Sequence, residues 1–175
     1  MIRQAAGLFR VDFAPRHRQP PPWRVVLATV ASLAGSLVAD AILVIIAEAI
    51  FPATRGYAHF RFSDYGLLTI IGVLIACAAW PVVTRVTSAP RWLFFRLAIL
   101  VTLVLLLPDL YILYNGQPAD AVTILMIMHV AIALVTYNFL VDLAPVEPLR
   151  GTTRRRPGPR DGRDRRMSGS GSRAW

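Results

Sequence analysis

Lysine is absent from this 175-residue chain, and cysteine occurs once, at Cys77. A single thiol excludes an intramolecular disulfide, so a small cross-linked scaffold is ruled out. Cys77 is read instead as a small packing residue. Charge is also scarce: 17% of residues are charged, where a soluble domain carries about 25%. Apolar residues make up 55% of the chain. They are concentrated in long runs rather than scattered, which excludes an ordinary soluble domain.

Four runs stand out. They are Val25 to Phe51, Tyr65 to Thr84, Trp92 to Tyr114 and Ala121 to Ala144. Each is long enough to cross the hydrocarbon core as a helix, which takes about 18 or more apolar residues. A non-helical crossing would leave backbone groups unpaired in lipid, at several kcal/mol each. The expected fold class is therefore all-α: a four-helix transmembrane bundle over residues 24–146. An N-terminal segment, 1–23, precedes it, and an Arg-rich tail, 147–175, follows. The first run starts late, after "RQPPPW", and is too long for a signal-peptide core, so a cleaved leader is not expected.

All 19 basic residues are arginine. Five precede the first run, Arg85 and Arg91 lie between the second and third, Arg96 sits just inside the third, and nine lie from Arg150 onward. The "YNGQPAD" connection has none. Because positive flanks stay in the cytoplasm, both chain ends and the "TRVTSAPR" loop are expected on the cytoplasmic side of the cell membrane. Arg55 and Arg61 in the first loop weigh against this without reversing it.

From Arg150 onward the tail holds nine arginines against Asp161 and Asp164, a net +7 of the chain's +9. With almost no apolar residues it cannot bury a core, so disorder is expected. It reads first as a topology anchor and second as a site for anionic lipid. Nucleic acid is disfavoured, since no aromatic residue interrupts the arginines before Trp175. At the other end, Ile2, Phe9 and Phe13 recur at near-helical spacing, and a short interfacial helix is expected there. "PPP" at Pro20 to Pro22 closes that segment and Trp23 follows at interface depth.

Lipid tails are as apolar as leucine, so helices associate through small residues. In the first run Ala28, Ser32, Ser36 and Asp40 recur every four residues, with Ala31, Gly35 and Ala39 on an adjacent ridge. Gly72 and Ala76 are the corresponding candidates in the second. Pro81 and Pro108 are expected to kink or end their helices.

Ionisable side chains inside such runs are costly and stand out as candidate sites. There are four: Asp40, Glu48, Asp109 and His129. With the expected topology all fall in the middle or outer half of the membrane. The "YNGQP" turn is short, so the third and fourth helices should be antiparallel neighbours, with Asp109 and His129 at similar depth. A carboxylate facing an imidazole would satisfy both groups and bind the helices together, with Asp40 as a third member. A proton relay would use the same three residues. A metal site would need at least three ligands; the types are present, but no HxxxH-like spacing supports it, and no metal or cofactor is expected. No nucleophile–base constellation is evident, so an enzyme is not expected. The first loop, with Tyr57, His59, Phe60, Phe62, Asp64 and Tyr65, is read as lying along the interface, or else as capping an entrance.

The elements "AAWPVVTRV" (Ala78 to Val86), "LLLPDL" (Leu105 to Leu110), "NGQP" (Asn115 to Pro118) and "MIMHVAIALVTY" (Met126 to Tyr137) resemble a family of small four-span bacterial membrane proteins known only as a domain of unknown function. The likeness covers about residues 24–146. It implies the four-helix reading and points to Asp109 and His129, but brings no activity or substrate. The expected function is a non-enzymatic accessory or structural membrane component, with the lipid bilayer and a partner membrane protein as its partners. The alternative is a small homo-oligomeric, proton-coupled transporter using the intramembrane Asp and His residues.

Overall fold

A computed structural model describes residues 17–148. The expected N-terminal interfacial helix and the arginine-rich tail from residue 149 onward lie outside these residues. Four helices dominate: α1 (Pro22–Ile50), α2 (Phe62–Val86), α3 (Pro90–Tyr114) and α4 (Ala119–Leu143). Two-residue strands, β1 (His17–Arg18) and β2 (Glu147–Pro148), pair antiparallel at the ends of the described chain. The helices have 29, 25, 25 and 25 residues and are apolar enough to cross a membrane. At about 1.5 Å per residue the shorter ones reach about 37 Å, so their ends extend past a core of about 30 Å into the headgroup region.

Proline sets several boundaries. Pro22 and Pro90 occupy first-turn positions, where a missing N–H costs nothing. Pro52 follows the end of α1 and keeps Phe51 out of the helical region, at φ −118° and ψ 83°. By contrast, Pro81 and Pro108 do not end their helices: α2 runs on to Val86 and α3 to Tyr114. In lipid, unravelling the remaining turn would expose more backbone than the single bond each proline removes.

The "NGQP" stretch becomes a helix stop. Gly116 takes a positive φ of 85°. The Gln117 N–H donates to Ile112 O at 3.2 Å and the Gly116 N–H to Leu113 O at 3.0 Å. This paired closure satisfies the last carbonyls of α3 and needs a residue that tolerates the left-handed region. Pro118 then caps the start of α4. The chain thus reverses within four residues, and α3 packs back along α4.

Helix α1 packs most extensively on α4 and then on α2, while α3 reaches the rest of the bundle chiefly through α4. The α1 ridge Ala28, Ser32, Ser36 and Asp40 is fully buried. On the adjacent ridge, Gly35 allows close approach: a β-carbon there would lie 2.7 Å from Phe139 Cε2 and 3.0 Å from Val135 Cγ1. Helix α2 differs from expectation. Its buried ridge is Gly66, Thr69, Val73, Cys77 and Trp80. Gly72 is exposed, with no heavy atom within 4 Å of where its β-carbon would stand. The packing face is offset by one residue, about 100° around the helix.

Two apolar clusters divide the interior. One joins Ala28, Cys77, Trp80, Phe94, Leu140 and Ala144. Trp80 meets Phe94 edge-on at 5.1 Å and donates its indole N–H to Ala144 O at 3.1 Å. The other joins Ala47, Phe60, Ala121, Ile124 and Met128 at the opposite end. Phe60 belongs to the first loop, which forms two 3-10 turns, Pro52–Thr54 and Ala58–Phe60. This loop does more than lie along the surface: Thr54 and Phe60 are buried, so it is keyed into the bundle end as a cap.

Candidate functional site

Between the two apolar clusters the bundle interior turns polar. Going along α1 from Ala28 to Ala47, the buried residues are Ser32, Ser36 and Asp40. The small side chains bring α1 close to its neighbours, and that proximity places polar atoms within reach across helices. Asp40 is fully buried and accepts a hydrogen bond from Thr69 Oγ1 of α2 at 2.6 Å. Its other oxygen, Oδ1, has no partner among the described residues.

Asp109 and His129 meet as the turn geometry requires. His129 Nδ1 lies 3.0 Å from Asp109 Oδ2, joining α3 to α4. The same nitrogen lies 3.0 Å from Leu125 O, one turn back on α4. Both neighbours are acceptors, so Nδ1 carries a proton. One N–H cannot point well at both. The better-directed hydrogen bond goes to the carbonyl, and Asp109 Oδ2 is left with a close electrostatic contact but no well-aligned bond. When the imidazole is protonated, the pair is held chiefly by charge.

The two acids belong to one electrostatic neighbourhood. A protonated His129 would place positive charge near Asp40 as well as Asp109, and a protonated His59 of the capping loop would do so near Asp109. Tyr57 in that loop packs edge-on against His59 and Phe60, each at 5.3 Å. Its hydroxyl is buried without a partner among the described residues. Burial pushes that hydroxyl above the ordinary tyrosine range, and the negative charge of Asp109 adds to the rise.

Further along, Ser32 Oγ and Ser36 Oγ on α1 and Thr136 Oγ1 on α4 are buried without a hydrogen-bond partner among the described residues. Neither Thr69 nor Thr136 is among the residues that the sequence points to. The spacing Thr69, Val73, Cys77 carries the signal for the first, because these residues repeat every four positions and share a helical face.

The fourth candidate, Glu48, is not drawn into the group. It is half-buried near the end of α1, and its backbone carbonyl accepts from Arg55 Nε at 3.2 Å. Asp40, Asp109 and His129 do not form a metal site either, since no three His, Cys, Asp or Glu side chains among the described residues are grouped to hold an ion. Two carboxylates, one imidazole and flanking hydroxyls can join helices or exchange protons. No family model, no curated protein and no solved structure matches the chain.

Proposed function

We propose that this is a non-enzymatic accessory or structural component of the cytoplasmic membrane, in which buried acids bind helices to one another. One observation carries the reading. Each buried acid meets a polar group on a different helix, Asp40 with Thr69 at 2.6 Å and Asp109 with His129 at 3.0 Å. Leaving either acid unpaired in lipid would cost at least about 2.5 kcal/mol. An accessory subunit should travel with its partner. Purification of the tagged protein from its own membrane in mild detergent, followed by mass measurement, should return a second membrane protein at fixed stoichiometry. Recovery of this chain alone, at every detergent tried, would reject the reading.

A second reading, a small proton-coupled transporter acting as a homo-oligomer, is favoured by the row of buried oxygens Ser36 Oγ, Asp40 Oδ1 and Thr136 Oγ1 that lack protein partners among the described residues. Such groups can hold water and pass protons. In liposomes carrying a pH gradient, Asp40→Asn should abolish proton flux while leaving the fold intact. Equal flux in wild type and variant would rule the idea out.

The arginine distribution supports placing both chain ends in the cytoplasm, and the β1–β2 pairing brings residues 17–18 and 147–148 to one end of the bundle. Cysteines introduced at Gly116 and Gly169 in Cys77→Ser protein should label from opposite sides. Labelling from the same side overturns the orientation.

A further inference from the structure

At the end of the bundle where β1 and β2 meet, residues 17–19 form a strap over α2. His17 Nε2 lies 2.6 Å from Thr84 O, and Gln19 Nε2 donates to the same carbonyl at 2.9 Å. Thr84 Oγ1 donates back to Gln19 Oε1 at 2.6 Å. In an extended segment, alternate side chains point to opposite faces. With His17 and Gln19 turned toward Thr84, Arg18 is turned the other way. It lines a cleft of about 520 Å³ together with Pro20, Pro21, Trp23, Arg24 and Glu147. That volume lies within the range of small-molecule sites, about 300–1,000 Å³.

The cleft is rigid where it needs to be. The run Pro20 to Pro22 has φ fixed by its rings and no N–H groups, so its shape changes little on binding. Two arginines six residues apart in sequence are thereby held in one cleft. Arg24 lies over the Trp23 ring at 5.3 Å, and neither Arg18 nor Arg24 forms an ion pair among the described residues. Trp23, 62% exposed, stands at the start of a membrane-length helix, the depth at which tryptophan sits among lipid headgroups.

We propose that this cleft binds the headgroup of an anionic glycerophospholipid, with Arg18 and Arg24 on the phosphate. Guanidinium groups match phosphate oxygens in a forked geometry. Charge balance selects the lipid class. Arg18 and Arg24 against Glu147 leave the cleft at +1. A phosphodiester with an uncharged alcohol headgroup brings it to zero, whereas a zwitterionic lipid leaves the charge uncompensated. Glu147 can accept a hydrogen bond from a headgroup hydroxyl. This site differs from the arginine-rich tail, whose first arginine, Arg150, follows β2 in sequence.

The test compares lipid retention by the full chain. Protein purified from vesicles of equal phosphatidylglycerol and phosphatidylethanolamine is examined by native mass spectrometry. Wild type should keep one phosphatidylglycerol. The Arg18→Gln/Arg24→Gln variant should bind it about 25-fold more weakly, fivefold per arginine. The tail variant Arg154→Gln/Arg155→Gln, with the same charge removed, should keep it. Loss in the tail variant with retention in the cleft variant would overturn the assignment. Glu147→Gln raises the cleft to +2 and should strengthen phosphatidylglycerol retention, a gain that misfolding cannot mimic; unchanged or weaker retention would also overturn it. Glycerol 3-phosphate should not compete at millimolar concentration. Full displacement by it would show a free-anion site instead of a lipid one.

Discussion

Replacing His129 with leucine leaves Asp109 facing an apolar side chain inside the membrane. In the wild type the imidazole nitrogen and the carboxylate oxygen are 3.0 Å apart. With His129 protonated and an effective dielectric of about 20, two unit charges at that distance attract by about 5.5 kcal/mol, an upper bound before desolvation is counted. The net value is smaller. Removing one member of a buried pair exposes the cost of the other, and a stranded carboxylate in a membrane costs about 2.5 kcal/mol or more. His129→Leu should therefore lower unfolding stability by about 2.5 kcal/mol. The reverse substitution is milder. In Asp109→Leu the imidazole can be neutral and keeps its bond to Leu125 O, so stability should fall by about 1 kcal/mol. The double variant replaces a polar pair with an apolar contact and should stay within about 1 kcal/mol of wild type. The coupling is then at least about 2.5 kcal/mol, at the strong end for interacting neighbours. Equilibrium unfolding of the three variants in mild detergent with rising dodecyl sulfate, followed by tryptophan fluorescence, measures each quantity. Two single effects that sum to the double within about 0.5 kcal/mol would refute the pairing.

Three further outcomes follow from particular contacts. Gly35→Leu drives a side chain into Phe139 and Val135 and should cost about 1–3 kcal/mol by the same unfolding assay; unchanged stability would mean that α1 and α4 do not approach as closely as described. Gly116→Ala forces a β-carbon into a φ of 85° and should cost about 1–2 kcal/mol, whereas Gly72→Ala meets open space and should leave the melting temperature unchanged or higher. A drop at Gly72 equal to that at Gly116 would show that the α2 packing face has been misplaced. Tyr57→Phe removes a buried hydroxyl that has no partner among the described residues, so stability should hold or rise; a drop above about 1 kcal/mol would reveal a partner for that oxygen.

The sequence alone determined the number of helices and their spans to within three residues, because each crossing must satisfy its own backbone inside a slab of fixed thickness. It also placed Asp109 and His129 at similar depth on adjacent helices, since the short "NGQP" turn sets two helices side by side; their 3.0 Å contact came from the structure. The buried α1 ridge was equally legible in its four-residue spacing. Other features depended on the rotation of one helix about its own axis, which lipid-facing and bundle-facing apolar residues do not distinguish. That rotation put Thr69, not His129, in hydrogen-bonding reach of Asp40, and turned Gly72 away from the bundle. It also required contacts between distant parts of the chain to hold His17 and Gln19 on Thr84 and so aim Arg18 into a cleft. No local pattern encodes that strap, because a two-residue strand has no periodicity of its own and exists only where its partner, Glu147–Pro148, is brought to it by the folded bundle.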